Sequence, residues 1–241
     1  MELKDCFGFD TKEIVAIIGS GGKTTTMEYL ARSFPDERVL MGTTTKIKFP
    51  SKEKFDYYWE ENHENQVAKD GVTLVGQINE VMGKFGSLPQ ARLTSLFKKF
   101  DKVFLEADGS KRLLLKGWKE FEPVIPEETT MTLGLIPITS LGLTIDEEHI
   151  HRLSELLKLT TANKGSVVTA KVLAQIITHS DGLFGKAKGK KVLGICQVDD
   201  EESFISAVTV AELLPKDFLE KLDRIVALSG QQGAGKIIWE K

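Results

Sequence analysis

The sequence predicts a three-layer α/β fold, with a mainly parallel β-sheet flanked by helices around a phosphate-binding loop. Short apolar runs alternate along the chain with segments whose apolar residues recur at helical spacing. This alternation is typical of parallel strands joined by crossover helices. A glycine-rich stretch also separates the first apolar run from the first helical segment, as in P-loop-like folds.

The predicted strands are the short apolar runs, and the predicted helices are the amphipathic segments between them. Pro35 ends the first helix, and Thr169 is the expected N-cap of the fourth. The strands are expected at residues 13–18, 38–41, 72–75, 102–105, 131–137, 191–197 and 224–228. Helices are expected around residues 27–34, 93–100, 153–157, 173–177, 203–214 and 216–222. Residues 50–70 are polar, aromatic and charged, which predicts an excursion or lid.

Composition excludes several classes of protein. The chain has 241 residues, a net charge of -3, 41% hydrophobic and 28% charged residues. We treat residues 1–241 as one domain; a change of subdomain near residue 140 stays open, although no linker composition marks it. The charge disfavours nucleic-acid binding, and no apolar run approaches the ~18 residues of a membrane span. With no signal-peptide pattern at the N-terminus, we expect a cytoplasmic protein.

The most informative stretch is Ile-Ile-Gly-Ser-Gly-Gly-Lys-Thr-Thr-Thr at residues 17–26. A buried strand leads into glycines and then into an amphipathic helix, which is the context that a phosphate loop requires. Lys23 is expected to reach the terminal phosphates, and the Thr24 hydroxyl to bind Mg²⁺. The predicted phosphate-binding residues are Gly19, Ser20, Gly21, Gly22, Lys23, Thr24 and Thr25.

A second glycine-rich stretch, at residues 230–236, matches the common G-x-x-x-x-G-K pattern better than the first. Ile237 stands where that pattern needs Ser or Thr, and only five residues follow Lys236. No helix can form there to direct its dipole at a phosphate. We therefore predict a loop between two strands.

Two carboxylates, Glu106 and Asp108, follow the apolar run at residues 102–105. In a parallel sheet the carboxyl ends of the strands face the ligand crevice, and Mg²⁺ is usually held by one or two carboxylates together with phosphates. We predict that Glu106 is the inner metal-side acid, and that Asp108 is its partner or orients a water. A solvated Asp-Gly turn is the structural alternative.

Other polar residues near the predicted edge have weaker signals. Thr44, within Thr43-Thr44-Thr45-Lys46, is a candidate contact to the terminal phosphate or the metal, although threonine is also an ordinary strand residue. Lys111, Arg112 and Lys116 suit an anion or a solvated loop equally well. The histidines at 149 and 151 lack further ligands at metal-binding spacing, so we expect polar residues at a helix start. Cys196 is expected to be a buried thiol.

The combination of motifs resembles the YqeC-like family of selenium-dependent molybdenum hydroxylase accessory proteins. It is carried by GSGGKTTT, GTTTKI, FLEADGSKRLLLKGW and FEPVIPEETT, with HIHR and ICQVD in the C-terminal half. The resemblance implies a nucleotide-binding factor that helps to mature a molybdenum hydroxylase, with that enzyme or molybdenum-cofactor proteins as partners. Where the family tends to have N-K-x-D, this chain has Cys196-Gln197-Val198-Asp199, which places guanine selectivity by that route in doubt.

Three functions follow from these observations. The first is a Mg²⁺-dependent nucleotide-binding accessory factor that hydrolyses ATP or GTP slowly, because the sequence assigns no general base or arginine finger. The second is an ATP-dependent ligase or small-molecule kinase, since the shorter G-x-x-G-K-T-T loop is like that of the Mur-type ligases. The third is a binding module without turnover. Lys23, Glu106 and Asp108 are the candidate catalytic residues, and Thr24, Glu106 and Asp108 the candidate metal ligands.

Overall fold

The computed structural model describes residues 1–60, 66–79 and 84–241. The strands are β1 (Glu13–Gly19), β2 (Arg38–Thr43), β3 (Lys46–Lys48), β4 (Tyr57–Trp59), β5 (Gly71–Val75), β6 (Gln77–Asn79), β7 (Lys84–Gly86), β8 (Lys102–Glu106), β9 (Leu115–Lys116), β10 (Met131–Pro137), β11 (Ile150–His151), β12 (Lys190–Cys196), β13 (Arg224–Ser229) and β14 (Ala234–Glu240). The helices are α1 (Lys23–Arg32), α2 (Gln90–Phe97), α3 (Leu153–Lys158), α4 (Ala170–Thr178), α5 (Glu201–Glu212) and α6 (Lys216–Leu219).

Nine of these strands form one sheet in the order β14-β13-β12-β10-β1-β8-β2-β5-β4. Neighbouring strands are parallel throughout, except that β14 runs antiparallel to β13 at one edge. The predicted α/β fold with a mainly parallel sheet is confirmed. All seven predicted strands lie in this sheet, and the carboxyl ends of its parallel strands share one edge.

Helices cover both faces of the sheet because successive strand residues point to opposite sides. In β1, Ala16 and Ile18 pack into the apolar cluster that includes residues of α3, α4 and α5. Val15 and Ile17 pack into the opposite cluster, with Met27 of α1. Helix α2 packs with residues of β2, β5 and β8 in a third cluster. The sheet is therefore the middle of three layers.

Local signals placed the start of one helix correctly and that of another within two residues. The Thr169 hydroxyl accepts a hydrogen bond from the Val172 amide at 3.3 Å, which confirms the predicted N-cap of α4. Helix α5 begins two residues before the predicted start, because Asp200 and Ser203 form a reciprocal capping box.

The prediction of an excursion or lid at residues 50–70 is wrong for part of that segment. Tyr57–Trp59 forms β4, which pairs in parallel with β5 and supplies the edge strand of the main sheet. Trp59 is buried, with its ring centroid 5.5 Å from that of Phe100. Aromatic burial therefore outweighs the polar composition of the segment. Residues 61–65 of the predicted excursion lie outside the described residues.

Two small sheets lie outside the main one. β3, β7 and β6 form an antiparallel sheet, and β9 pairs in parallel with β11. Neither was predicted, because strands of two or three residues have almost no periodicity to detect. In the described ranges, no helix combines the length and apolarity needed to cross a bilayer.

Candidate functional site

The glycine loop, residues 19–22, joins β1 to α1 at the carboxyl edge of the sheet. Gly19, Gly21 and Gly22 all have positive φ, at 96°, 76° and 146°. A Cβ on Gly19 would lie 2.1 Å from the Leu135 carbonyl oxygen, so this position also requires glycine for space. Helix α1 begins at Lys23, and its first amides have no carbonyl within the helix to bind. The Gly19 and Ser20 amides, which were predicted to bind phosphate, instead donate to Asp108 and to the Leu135 carbonyl oxygen, each at 3.0 Å. The predicted phosphate contact is therefore restricted to the amides from Gly21 onward and to the N-terminus of α1.

Lys23 bends back over the glycine loop and is only 4% exposed. Its Nζ donates a hydrogen bond to the Gly19 carbonyl oxygen at 2.7 Å. The same nitrogen lies 3.4 Å from Asp108 Oδ1 and 3.7 Å from Glu106 Oε1. The predicted loop lysine and both predicted carboxylates are thus brought together.

Thr24 and Glu106 meet across the gap between α1 and the end of β8. The Thr24 hydroxyl donates to Glu106 Oε2 at 2.7 Å. Burial raises the pKa of the Glu106 carboxyl, although the charge of Lys23 and the Thr24 hydrogen bond oppose this rise. A hydroxyl and a carboxylate, 82 residues apart in sequence, thus meet beside the glycine loop.

Asp108 has a different environment from Glu106, because its side chain is completely buried. Oδ2 accepts hydrogen bonds from the Gly19 amide at 3.0 Å and from Trp118 Nε1 at 2.8 Å. Lys116 Nζ lies 3.1 Å from the same oxygen. These donors attach the start of the glycine loop to the segment that follows β8. The solvated Asp-Gly turn considered for this carboxylate is wrong.

The ion pairs continue from Asp108 into the interior. Lys116 is fully buried and lies between Asp108 and Glu122, with its Nζ 3.3 Å from Glu122 Oε2. Burial lowers the pKa of Lys116, against the opposing effect of the two carboxylates. Burial alone would raise the pKa of Glu122, but hydrogen bonding to Arg152 and the charges of Lys116 and Arg152 lower it overall. Lys116 is therefore part of a buried ion-pair network and not of a solvated loop.

A cavity of about 510 Å³ opens above the glycine loop, and we call it the loop cavity. Its lining includes Gly21, Gly22, Thr24 and Thr25, together with Gln197, which follows β12. Among the described lining residues, one carboxylate, that of Glu106, faces six cationic side chains: Lys23, Lys46, Lys48, Lys84, Lys111 and Arg112. A chain with a net charge of -3 thus places a strong positive excess at this point.

Two of these cations have an unusual backbone. Lys111 and Arg112 have φ values of 51° and 66°, in the left-handed region that non-glycine residues seldom adopt. Gln197, which follows β12, also has a positive φ of 62° and donates from Nε2 to the Gly21 carbonyl oxygen at 2.9 Å. Backbone of this kind is concentrated at binding sites, where the surrounding structure maintains it. The sequence alone did not decide whether Lys111 and Arg112 bind an anion or lie in a solvated loop. In the structure, both residues line the loop cavity.

Thr44 lies beside the site but outside the loop cavity. Its hydroxyl donates to the Val124 carbonyl oxygen at 2.7 Å, and its amide donates to the Glu106 carbonyl oxygen at 3.1 Å. The neighbouring Thr43 hydroxyl also donates to the Glu106 carbonyl oxygen, at 2.8 Å. The two threonines thus connect the end of β2 to the end of β8 through the backbone carbonyl of Glu106.

Cys196 also contacts the glycine loop. It is buried, as predicted, and its Sγ lies 3.1 Å from the Gly21 carbonyl oxygen. Burial raises the pKa of this thiol to about 12. Lys48 and Lys84 were not predicted as site residues, because their place at the loop cavity depends on pairing of β3 with β7. Trp118 was also not predicted, although it lies only ten residues after Asp108, to which it donates a hydrogen bond.

The second glycine-rich stretch is a loop between two antiparallel strands, as predicted. Lys236 lies on β14 opposite Ala227, and its Nζ is 3.9 Å from the centroid of the Phe204 ring. His149 and His151 lie just before α3, with His149 Nδ1 2.7 Å from Asp146 Oδ1. No cluster of three potential metal-ligating side chains occurs in the part of the chain that the structure describes.

A family model described as "YqeC protein" matches residues 15–154, which include the glycine loop, Glu106, Asp108 and the buried ion pairs. The chain belongs to the YqeC family. It is 25% identical over 183 residues to "Uncharacterized protein YqeC" of Escherichia coli (strain K12), an alignment that covers 71% of this chain and 70% of the relative. No solved structure matches the chain. The YqeC family match ends within α3, so α4, β12 and β13 lie beyond it.

Proposed function

We propose that this YqeC-family protein binds a Mg²⁺–nucleoside triphosphate, ATP or GTP, in the loop cavity and slowly hydrolyses its terminal phosphate. The observation that carries this proposal is the 2.7 Å contact between the Thr24 hydroxyl and the Glu106 carboxylate beside the glycine loop. These are the two oxygen ligands that a phosphate loop and a neighbouring strand supply to a nucleotide-bound magnesium ion.

The charges of the loop cavity support a polyanionic ligand. Six cationic side chains surround it, and the N-terminus of α1 adds partial positive charge. Backbone amides from Gly21 to Thr25 would hold the phosphates, while Lys23 would exchange its bond to the Gly19 carbonyl for the terminal phosphates. The volume of about 510 Å³ lies within the range of small-molecule sites.

The donor set also fits magnesium. Mg²⁺ prefers oxygen ligands and is usually bound by one or two carboxylates, with phosphates and waters completing its coordination. Thr24 and Glu106 would hold the ion, which would supply positive charge beside the phosphates.

We assign Asp108 to positioning and not to direct metal binding. Its carboxylate is fully buried and already contacts the Gly19 amide, Trp118 and two lysines. Metal binding would require some of these contacts to break. Asp108 instead sets the position of Gly19, and therefore the direction of the loop amides.

Glu106→Gln tests the magnesium site. We expect the ratio of triphosphate affinities with and without Mg²⁺ to fall to about one, because a neutral amide is a poor magnesium ligand. Much of the affinity measured without the ion should remain, since the loop amides are unchanged. Calorimetric titrations with ATP, GTP, CTP and their diphosphates, each with and without Mg²⁺, measure both quantities and the base preference.

Two further variants define this test. Glu212→Gln removes an exposed carboxylate at the end of α5 and should keep the wild-type magnesium response. Asp108→Asn should weaken binding with and without Mg²⁺ alike, since it acts through the loop. If Glu106→Gln retains the wild-type magnesium response, or if Asp108→Asn loses that response, the assignment of this acidic segment is wrong.

The resemblance to selenium-dependent molybdenum hydroxylase accessory proteins extends the proposal to a cellular role. We infer that nucleotide binding here supports maturation of such a hydroxylase. Cells that carry Lys23→Ala in place of the wild-type chain should lose hydroxylase activity while keeping the hydroxylase polypeptide. Lys236→Ala cells are the control and should keep the activity. Equal activity in both strains would contradict the accessory role.

A further inference from the structure

A second cavity of about 580 Å³ adjoins the loop cavity, and we call it the acceptor cavity. The two cavities share Lys46 and Lys84, which lie on β3 and β7. Thr44 forms part of its wall, and the Thr44 amide donates to the carbonyl oxygen of Glu106. The acceptor cavity therefore borders the end of β8, where the proposed metal-side carboxylate lies.

The lining of the acceptor cavity combines exposed apolar surface with positive charge. Phe121 is 65% exposed and Ile78 is 44% exposed, although large apolar side chains are usually covered. Among the described lining residues, Glu122 is the one carboxylate, and Lys116 and Arg152 offset its charge. Lys46 and Lys84 place two cationic side chains on the side that the two cavities share.

We propose that the acceptor cavity binds a second substrate, a small organic carboxylate with a flat unsaturated ring, which receives the terminal phosphoryl group of the nucleotide. The inference rests on the proposed function, because the phosphoryl donor is the triphosphate in the loop cavity. The ring packs on Phe121 and Ile78, and the carboxylate lies toward Lys46 and Lys84. A few placed polar groups in an apolar pocket are typical of small-molecule sites.

A carboxylate suits the chemistry of this cavity better than an alcohol. An alcohol must lose a proton, but the two cations beside Glu122 keep its pKa low and make it a weak base. A carboxylate oxygen needs no deprotonation. It forms a bond to the terminal phosphorus, the bond from that phosphorus to the bridging oxygen breaks, and the electron pair leaves on the nucleoside diphosphate. The product is an acyl phosphate, and no proton is transferred.

Ligand binding tests the site with defined probes. Benzoate, nicotinate and 1-naphthoate are compared with benzamide, nicotinamide and 1-naphthamide by saturation-transfer NMR, in the presence of Mg²⁺ and a non-hydrolysable ATP analogue. The neutral amides keep the rings and lack the charge. We expect at least one acid to bind about tenfold tighter than its amide, as for a hydrogen bond to a charged group. With ATP, hydroxylamine should trap the acyl phosphate of that acid as a hydroxamate.

Phe121→Ser should weaken binding of the acid at least about fivefold, the scale of an aromatic contact, and leave nucleotide affinity unchanged. Ile205→Ser is the matched control, because Ile205 is 59% exposed on α5 outside both cavities, and it should alter neither affinity. Nucleotide binding without acid binding, or acid binding that Phe121→Ser leaves intact, would overturn the acceptor cavity alone. Acid binding without a hydroxamate would overturn the transfer step. Loss of nucleotide binding itself would overturn the proposed function, and this inference with it.

Discussion

Lys23→Ala is expected to weaken nucleoside triphosphate binding by about 1.5–3 kcal/mol, or roughly 10- to 150-fold, the scale of a hydrogen bond to a charged group. Lys23 Nζ already lies at the glycine loop, bound to the Gly19 carbonyl and close to Glu106 and Asp108. Triphosphates should lose more affinity than diphosphates, because the side chain is assigned to the terminal phosphates. Calorimetric titration with both forms of the nucleotide measures the difference.

Lys236→Ala is the matched control for this prediction. Lys236 belongs to the stretch that fits the common phosphate-loop pattern by its letters, but it lies on β14 over the Phe204 ring. Its replacement should leave nucleotide affinity unchanged. Thermal unfolding without nucleotide shows whether Lys23→Ala remains folded. If Lys236→Ala lost affinity and Lys23→Ala kept it, our choice between the two loops would be wrong.

Asp108→Asn is expected to lower the free energy of unfolding by about 3–5 kcal/mol, the range for breaking a buried ion pair at one partner. Asp108 is fully buried, and Lys116, its neighbour at 3.1 Å, is also fully buried. Among the described residues, the neutral amide leaves Lys116 with Glu122 as its one close counter-charge, and it places an NH₂ group among hydrogen-bond donors. Urea denaturation followed by circular dichroism measures the change.

Asp181→Asn serves as the control for the stability measurement, because the Asp181 side chain is 85% exposed. Exposed charges contribute little to stability, so a change within about 0.5 kcal/mol is expected. A similarly small change for Asp108→Asn would mean that the buried ion pairs do not hold the glycine loop. The positioning role of Asp108 would then be wrong.

Some parts of the site could be predicted from local patterns alone. The order of strand, glycines, lysine and amphipathic helix is contained within residues 13–32. Both signals there are local, because apolar periodicity and the positive φ angles that favour glycine each involve only a few consecutive residues. The stretch at 230–236 was excluded in the same way, because Ile237 stands where the phosphate-loop pattern needs Ser or Thr. Glu106 was placed correctly at the end of β8, since a buried strand that ends in a carboxylate directs it to the sheet edge.

The sequence by itself thus determined the fold class, the loop and the strand that delivers the carboxylate, because each depends on interactions between residues close in the chain. Only the tertiary structure separated the environments of Glu106 and Asp108. Both follow one strand, but the Gly19 amide and Asp108 are 89 residues apart, and their contact depends on how β1 packs beside β8. Lys84 likewise reaches the loop cavity only because β7 pairs with β3. Such contacts depend on the packing of distant segments, which no local periodicity or spacing specifies.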